Sequence, residues 1–150
     1  MSRIAGAVHI VTTDGPAGRF GATVSASCSV SDNPPSILIC LNTGIRLHDT
    51  LLENGVFCVN TLAFEQTDLS DAFAGRGKLP MAERFALGKW EKILTGAPAL
   101  EDTCLSVDCQ VSHTLKMATH TIIVGTIVGT RLAQEDRKAL VYKARGYHPL

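Results

Sequence analysis

The chain has 150 residues, 45% of them hydrophobic, with 14 Lys and Arg against 14 Asp and Glu. That length and apolar content suit one globular domain over residues 1–150 with a sizeable core, and the balanced charge leaves no overall field to draw it to nucleic acid or an acidic lipid surface. No apolar run is long enough to cross a membrane, and Met1 to Ala7 lacks a signal-peptide core, so a soluble cytoplasmic protein is expected.

From Ala7 to Thr13 a short β-branched run predicts a strand, and Asp14 to Gly18 supplies turn chemistry for a hairpin. Phe20 to Ser29 reads as the return strand, stopped by Asp32-Asn33-Pro34-Pro35. Ser36 to Leu41 is apolar throughout, as in a strand covered on both faces. After the break at Asn42-Thr43-Gly44, Leu47 and Leu51 four apart predict a short helix over Ile45 to Asn54. Val56 to Leu62 reads as a strand, Glu65 to Ala74 as a helix with Leu69 and Phe73 on one stripe, and Met81 to Trp90 as a further short helix. Thr103 to Met117 and Thr119 to Leu132 alternate for long stretches about a tight turn near Ala118, and Ala139 to Lys143 adds a last strand. Strands outnumber helices and the longest are consecutive. A mainly β fold follows, an antiparallel sheet or barrel with short helices as plugs.

Several chemistries are weakly supported. The five cysteines, at 28, 40, 58, 104 and 109, form no C-x-x-C pair and read as small buried hydrophobes, not a disulfide framework. The five histidines, at 9, 48, 113, 120 and 148, show no metal-ligand spacing, so no metal is expected, and His9 on a strand face reads as structural. Gly15-x-x-Gly18-x-x-Gly21 lies between strands and not at a helix start, and Gly75-Arg76-Gly77-Lys78 lacks the hydroxyl residue of a phosphate loop.

Thr23-Val24-Ser25-Ala26-Ser27-Cys28-Ser29-Val30-Ser31 is more informative. So many small hydroxyl residues in succession let backbone N–H and short O–H groups approach a flat polar ligand. Asn42-Thr43-Gly44 directly precedes a helix, so free N–H groups, the Thr43 hydroxyl and Arg46 together suit a phosphate; a turn with a helix cap is the plainer alternative.

These segments sit in an ordered series: S-A-S-C-S-V-S-D-N-P-P-S-I-L-I-C-L-N, F-C-V-N-T-L, E-R-F, G-A-P-A-L, T-H-T-I-I-V-G and Y-x-A-R-G-Y-H-P-L. In that order and spacing the chain resembles the short-chain flavin reductases, the reductase components of two-component flavin-dependent monooxygenases. The resemblance implies an FMN-binding split barrel of Greek-key antiparallel type, working as a homodimer, that reduces FMN or FAD with NADH and releases reduced flavin to a partner monooxygenase. It also implies that Thr23, Val24, Ser25, Ala26, Ser27, Ser29 and Val30 line the isoalloxazine and ribityl chain, that Leu41, Asn42, Thr43, Leu47 and His48 surround the ribityl and phosphate, and that Arg84 and Phe85 close the phosphate end; Arg46 and His48 stand where many relatives have small or polar residues. His120, with Arg145, Gly146, Tyr147 and His148, is placed on the nicotinamide side, His120 as the nearest thing to a catalytic residue. A surface role for His120 and a dimer-interface role for Tyr147 and His148 are the alternatives. Relatives carry a helical segment before the first strand, so a truncated start or an internal first Met is expected. A non-enzymatic flavin-binding or electron-carrier protein on the same fold is the rival reading.

Overall fold

A computed structural model describes all of residues 1–150. The strands run β1 (Gly6–Ala7), β2 (His9–Thr13), β3 (Phe20–Val24), β4 (Ser27–Asp32), β5 (Pro35–Asn42), β6 (Val56–Thr61), β7 (Trp90–Lys92), β8 (Pro98–Leu100), β9 (Leu105–Met117), β10 (His120–Leu132), β11 (Leu140–Lys143) and β12 (Gly146–Pro149). The helices are α1 (Arg46–Asn54), α2 (Thr67–Phe73) and α3 (Met81–Ala86). Seven strands form an antiparallel sheet in the order β3-β2-β6-β9-β10-β5-β4, with β3 and β4 as its unjoined edges; β1-β11-β12 and β7-β8 form smaller sheets. This is the split barrel the resemblance implies, mainly β with short helices, its sheet left open.

The long middle strands hold the architecture because their alternation gives one wet and one dry face. Val11, Ile39, Leu41, Phe57, Val59, Val107 and Ile123 point inward, and Leu47 and Leu51 of α1 plug the same core. Each such side chain stabilises the fold by roughly 1.5–3 kcal/mol when fully buried. A second cluster joins Leu69 and Phe73 of α2 to Phe85, Val8, Ile10, Leu62, Leu100 and Leu140. The Phe73 ring meets Phe85 edge-on with centroids 5.1 Å apart, and Trp90 closes the aromatic group at 5.0 Å from Phe85. β10 is kinked by register shifts at Val124/Gly125 and Ile127/Gly129. A Cβ on Gly125 would lie 2.5 Å from Phe57 Cζ, so only glycine lets the strand pass over that ring.

Five expectations need correction. The return strand expected over Phe20 to Ser29 is two strands: β3 pairs with β2, the chain crosses at Ser25-Ala26, and β4 pairs with β5 on the far edge. Val8 likewise splits the first strand, since β1 pairs with β11 while β2 joins the main sheet. The helix expected to reach Trp90 stops at Ala86, and the Glu65 to Ala74 helix opens as a 3-10 turn over Phe64–Gln66. β12 appears where no strand was expected, paired with β11 through Val141 to His148 and Tyr142 to Tyr147.

Candidate functional site

Two groups of the expected residues assemble, and the Ser25-Ala26 crossover runs between them. The first surrounds the start of α1. Asn42 at the end of β5 pairs with His120 at the start of β10. The Thr43 N–H and hydroxyl both donate to the Thr119 carbonyl, at 2.9 and 3.2 Å, and Gly44 N–H donates to Asn42 Oδ1 at 2.8 Å. Ile45 at the N-cap is extended, and no side chain caps the helix. His48 N–H bonds the Ile45 carbonyl at 3.1 Å, while the Arg46 and Leu47 N–H groups lack the side-chain acceptor that Ser, Asp or Asn supplies at most helix starts. Arg46 is exposed beside them, its guanidinium 5.4 Å from the Phe20 ring centroid.

His48 has a different place from the one implied. Its side chain is buried, with Nε2 2.8 Å from Thr121 Oγ1 and Nδ1 2.7 Å from Asp49 Oδ1. Both ring nitrogens are occupied, so His48 ties α1 to β10 beside His120, and its ring is not turned outward. Leu41, Leu47 and Val24 likewise put their side chains into the core, leaving backbone as their accessible part. His120 itself is exposed, with Nδ1 2.9 Å from Thr119 Oγ1.

The crossover is built from small residues. The Thr23 hydroxyl donates to the Ser70 carbonyl at 2.6 Å, and that of Ser27 to Leu38 O at 3.0 Å. Ser25, Ala26, Ser29 and Val30 are exposed, and the Ala26 carbonyl accepts from Cys40 N–H. A flat ring can approach this backbone without meeting bulky side chains.

The tail forms the second group. The β11–β12 hairpin turns through Ala144 and Arg145, with φ of 52° and 64°. Two consecutive left-handed residues suit a type I′ turn, but neither is Gly or Asn, and each costs roughly 1–2 kcal/mol. Arg145 is exposed on this turn, and His148 Nε2 lies 3.2 Å from the Lys143 carbonyl. The Tyr147 hydroxyl donates to Asp71 Oδ1 at 2.7 Å and lies 2.9 Å from Ser70 Oγ.

Arg84 and Phe85 are not brought to the α1 start. Arg84 Nε donates to the Leu79 carbonyl at 2.7 Å, and the Phe85 ring lies in the aromatic cluster under the Arg19 guanidinium, 4.0 Å away. The E-R-F motif therefore serves the second core in this chain. Thr121, Ser70 and Asp71 were missed. Thr121 could have been found as the alternation partner of His120, whereas the Tyr147 to Asp71 pair spans 76 residues and has no local signal.

A concavity of about 980 Å³ lies elsewhere, at the Leu132 end of the β9–β10 hairpin between Glu101–Thr103 and Arg131–Lys138. Its two arginines are already engaged: Arg131 pairs with Glu91 at 2.7 Å, and Arg137 bonds the Asp102 carbonyl. None of the expected cofactor residues lines it. Only Cys58 and Cys109 of the five cysteines are buried, and burial pushes the Cys58 thiol up and that of Cys109 to about 12, so neither is an activated thiol. What the α1 start and the crossover offer is positioning: N–H groups and a cation for a phosphate, and open backbone for a planar ring.

One face of the sheet carries exposed apolar side chains. On the outward side of β4, β5, β10 and β9, Cys28, Leu38, Val124 and His113 form one row, Cys40, Ile122 and Leu115 the next, and Asn42, His120 and Met117 a third. Leu115 and Met117 are 57% and 54% exposed.

The family profile described as flavin reductase like domain matches residues 1–150. The chain is 47% identical over 150 residues to the FMN reductase (NADH) RutF of Stutzerimonas stutzeri, covering 100% of this chain and 84% of that protein. A candidate flavin reductase from Haemophilus somnus superposes with a TM-score of 0.95 at 41% identity, covering 100% of this chain and 94% of that one. The flavin reductase HpaC, solved with NADP+, gives 0.89 at 28% identity and covers 100% and 93%.

Proposed function

Because the chain belongs to the flavin reductase like domain family, we propose that it uses NADH to reduce FMN or FAD and releases the reduced flavin to a separate monooxygenase. The observation that carries this reading is the full-length match to an NADH-dependent FMN reductase at 47% identity. When both are bound, nicotinamide and flavin supply the chemistry, a hydride transfer. The chain's task is to bind, orient and exclude water.

The α1 start fits the flavin phosphate. The uncapped N–H groups of its first turn and Arg46 offer donors and positive charge at one point. The exposed backbone from Ser25 to Val30 receives the ring and ribityl chain, with N–H donors available where negative charge gathers on reduction. Val24, Leu41 and Leu47 contribute backbone only, and His48 acts by fixing α1 against β10 through Thr121. His120 and the Arg145 to His148 turn face the nicotinamide, His120 holding its ring and the turn its phosphates.

Residues 1–150 act as one domain. The active form is a homodimer whose two copies meet on the outward face of β4, β5, β10 and β9, where Leu115, Met117 and Ile122 bring apolar area to an otherwise polar site. No helix is long and apolar enough to cross a membrane, and a diffusible product with five free thiols suits a cytoplasmic location. Purified protein mixed with NADH and FMN or FAD should show flavin-dependent loss of NADH absorbance. A firmly retained yellow flavin without NADH turnover would instead indicate a carrier protein.

A further inference from the structure

The mechanism above leaves one polar network unused, and it connects the two halves of the site. The buried Ser70 carbonyl accepts from Thr23 of the flavin strand, while its hydroxyl lies 2.9 Å from Tyr147 of the tail. Asp71, the next residue, accepts from the Tyr147 hydroxyl at 2.7 Å and from Arg76 Nη1 at 2.7 Å. The Arg76 guanidinium also lies 6.0 Å from the Tyr147 ring centroid. Burial, with the Asp71 carboxylate adding to it, pushes the Tyr147 hydroxyl up, which keeps it a donor across physiological pH.

β12 is an edge strand, bound on one side by β11 alone. Its turn holds Ala144 and Arg145 in left-handed conformations. A turn that costs free energy persists only where its surroundings fix it. The Ser2 carbonyl holds the turn by its backbone, at the Ala144 N–H, and on the α2 side the fixing is done by the Tyr147 bonds to Ser70 and Asp71, the side chain of His148 reaching only Lys143 of the same hairpin.

We propose that Asp71 is a positioning residue for nicotinamide binding: by gripping the Tyr147 hydroxyl, with Arg76 balancing its charge, it sets the turn that presents Arg145. Asp71 touches neither ligand. This inference rests on the assignment of the tail to the nicotinamide side.

The test is steady-state kinetics on the full chain with FMN saturating, for the wild type and for Asp71→Ala, Asp71→Asn and Tyr147→Phe. Asp71→Ala and Tyr147→Phe should each raise the KM for NADH about five- to twentyfold, with kcat and the flavin Kd within about twofold, as expected for loss of one charge-assisted hydrogen bond. The Asp71→Ala/Tyr147→Phe double variant should be no worse than either single one. Asp71→Asn keeps an acceptor oxygen and should recover most of the NADH affinity. Equal losses for NADH and flavin, an unchanged KM, or failure of Asp71→Asn to recover would overturn the proposal. A change in sedimentation with KM unaltered would assign the tail to the dimer interface instead. Absence of NADH-dependent flavin reduction by the wild type would remove the functional reading itself, and this inference with it.

Discussion

Replacing Arg46 by Ala tests the phosphate assignment directly. The guanidinium stands one residue past an uncapped helix start, exposed and stacked at 5.4 Å on Phe20. Two unit charges about 4 Å apart attract by about 1 kcal/mol in bulk water and about 4 kcal/mol at the effective dielectric of a protein surface. An exposed Arg belongs in the lower half of that range, so the variant should lose about 1–2 kcal/mol of FMN binding. At about 1.4 kcal/mol per decade this is a roughly five- to thirtyfold rise in Kd. Riboflavin carries the same ring and ribityl chain without the phosphate, and its affinity should barely move. Flavin fluorescence titrations with both ligands, each at two ionic strengths, give the comparison; the FMN affinity of the wild type should fall more steeply with salt than that of the variant. Equal losses for FMN and riboflavin, or no loss for either, would refute the phosphate assignment.

Three other outcomes are expected. Gly125→Ala places a Cβ 2.5 Å from Phe57 Cζ and 2.8 Å from Cys109 Cβ, so urea denaturation should show a loss of about 1–3 kcal/mol; an unchanged midpoint would mean the β10 kink is not set by that ring. Burial lowers His9 from 6.5 to about 4, so the fold holds it neutral while the unfolded chain takes up a proton. Its contribution is complete above pH 6.5 and is lost as pH falls toward 4, roughly 3 kcal/mol in all, and His9→Gln should flatten that part of the stability profile measured by denaturant titration across pH. Leu115→Asp, on the outward face, should shift sedimentation from dimer to monomer with the far-UV spectrum intact; a dimer that persists would place the interface elsewhere.

Much of the framework was legible because its signals are local. Leu47 and Leu51 four apart marked α1, the long alternation about Ala118 marked β9 and β10, and Asn42-Thr43-Gly44 marked the approach to a helix start that proves to be uncapped. What was hidden depends on partners distant in sequence. Ser25-Ala26 gives no cue that the chain changes edges there, since small residues continue unchanged on both sides. β12 was obscured by Gly146 and Pro149, which read as loop, and β7 and β8 are three residues each, too short for a period to show. His48 was placed at the ribityl by resemblance alone; its bond to Thr121, 73 residues on, has no local signal. Arg84 and Phe85 followed a family motif whose ring is drawn into an aromatic cluster by Phe73 and Trp90.

The two register shifts in β10 divide the long hairpin into ladders in series. Outside Gly125, Ile122 and Val124 pair across to the open face; inside Gly129, Thr130 to Leu132 pair with Val107 to Leu105. Between them, Gly125, Thr126 and Ile127 pair with Val111, Gln110 and Cys109, so each shift stands between two paired runs and is a place where an added or lost residue can be taken up. The inner ladder is pinned from the side, where Asp108 holds the Leu94 and Thr95 amides and Ser106 reaches Asn60, so a change in the length of the hairpin tip is expected to spare its register. Chains built on this plan can vary their tips, and with them the surface they present to another molecule, without re-registering the core.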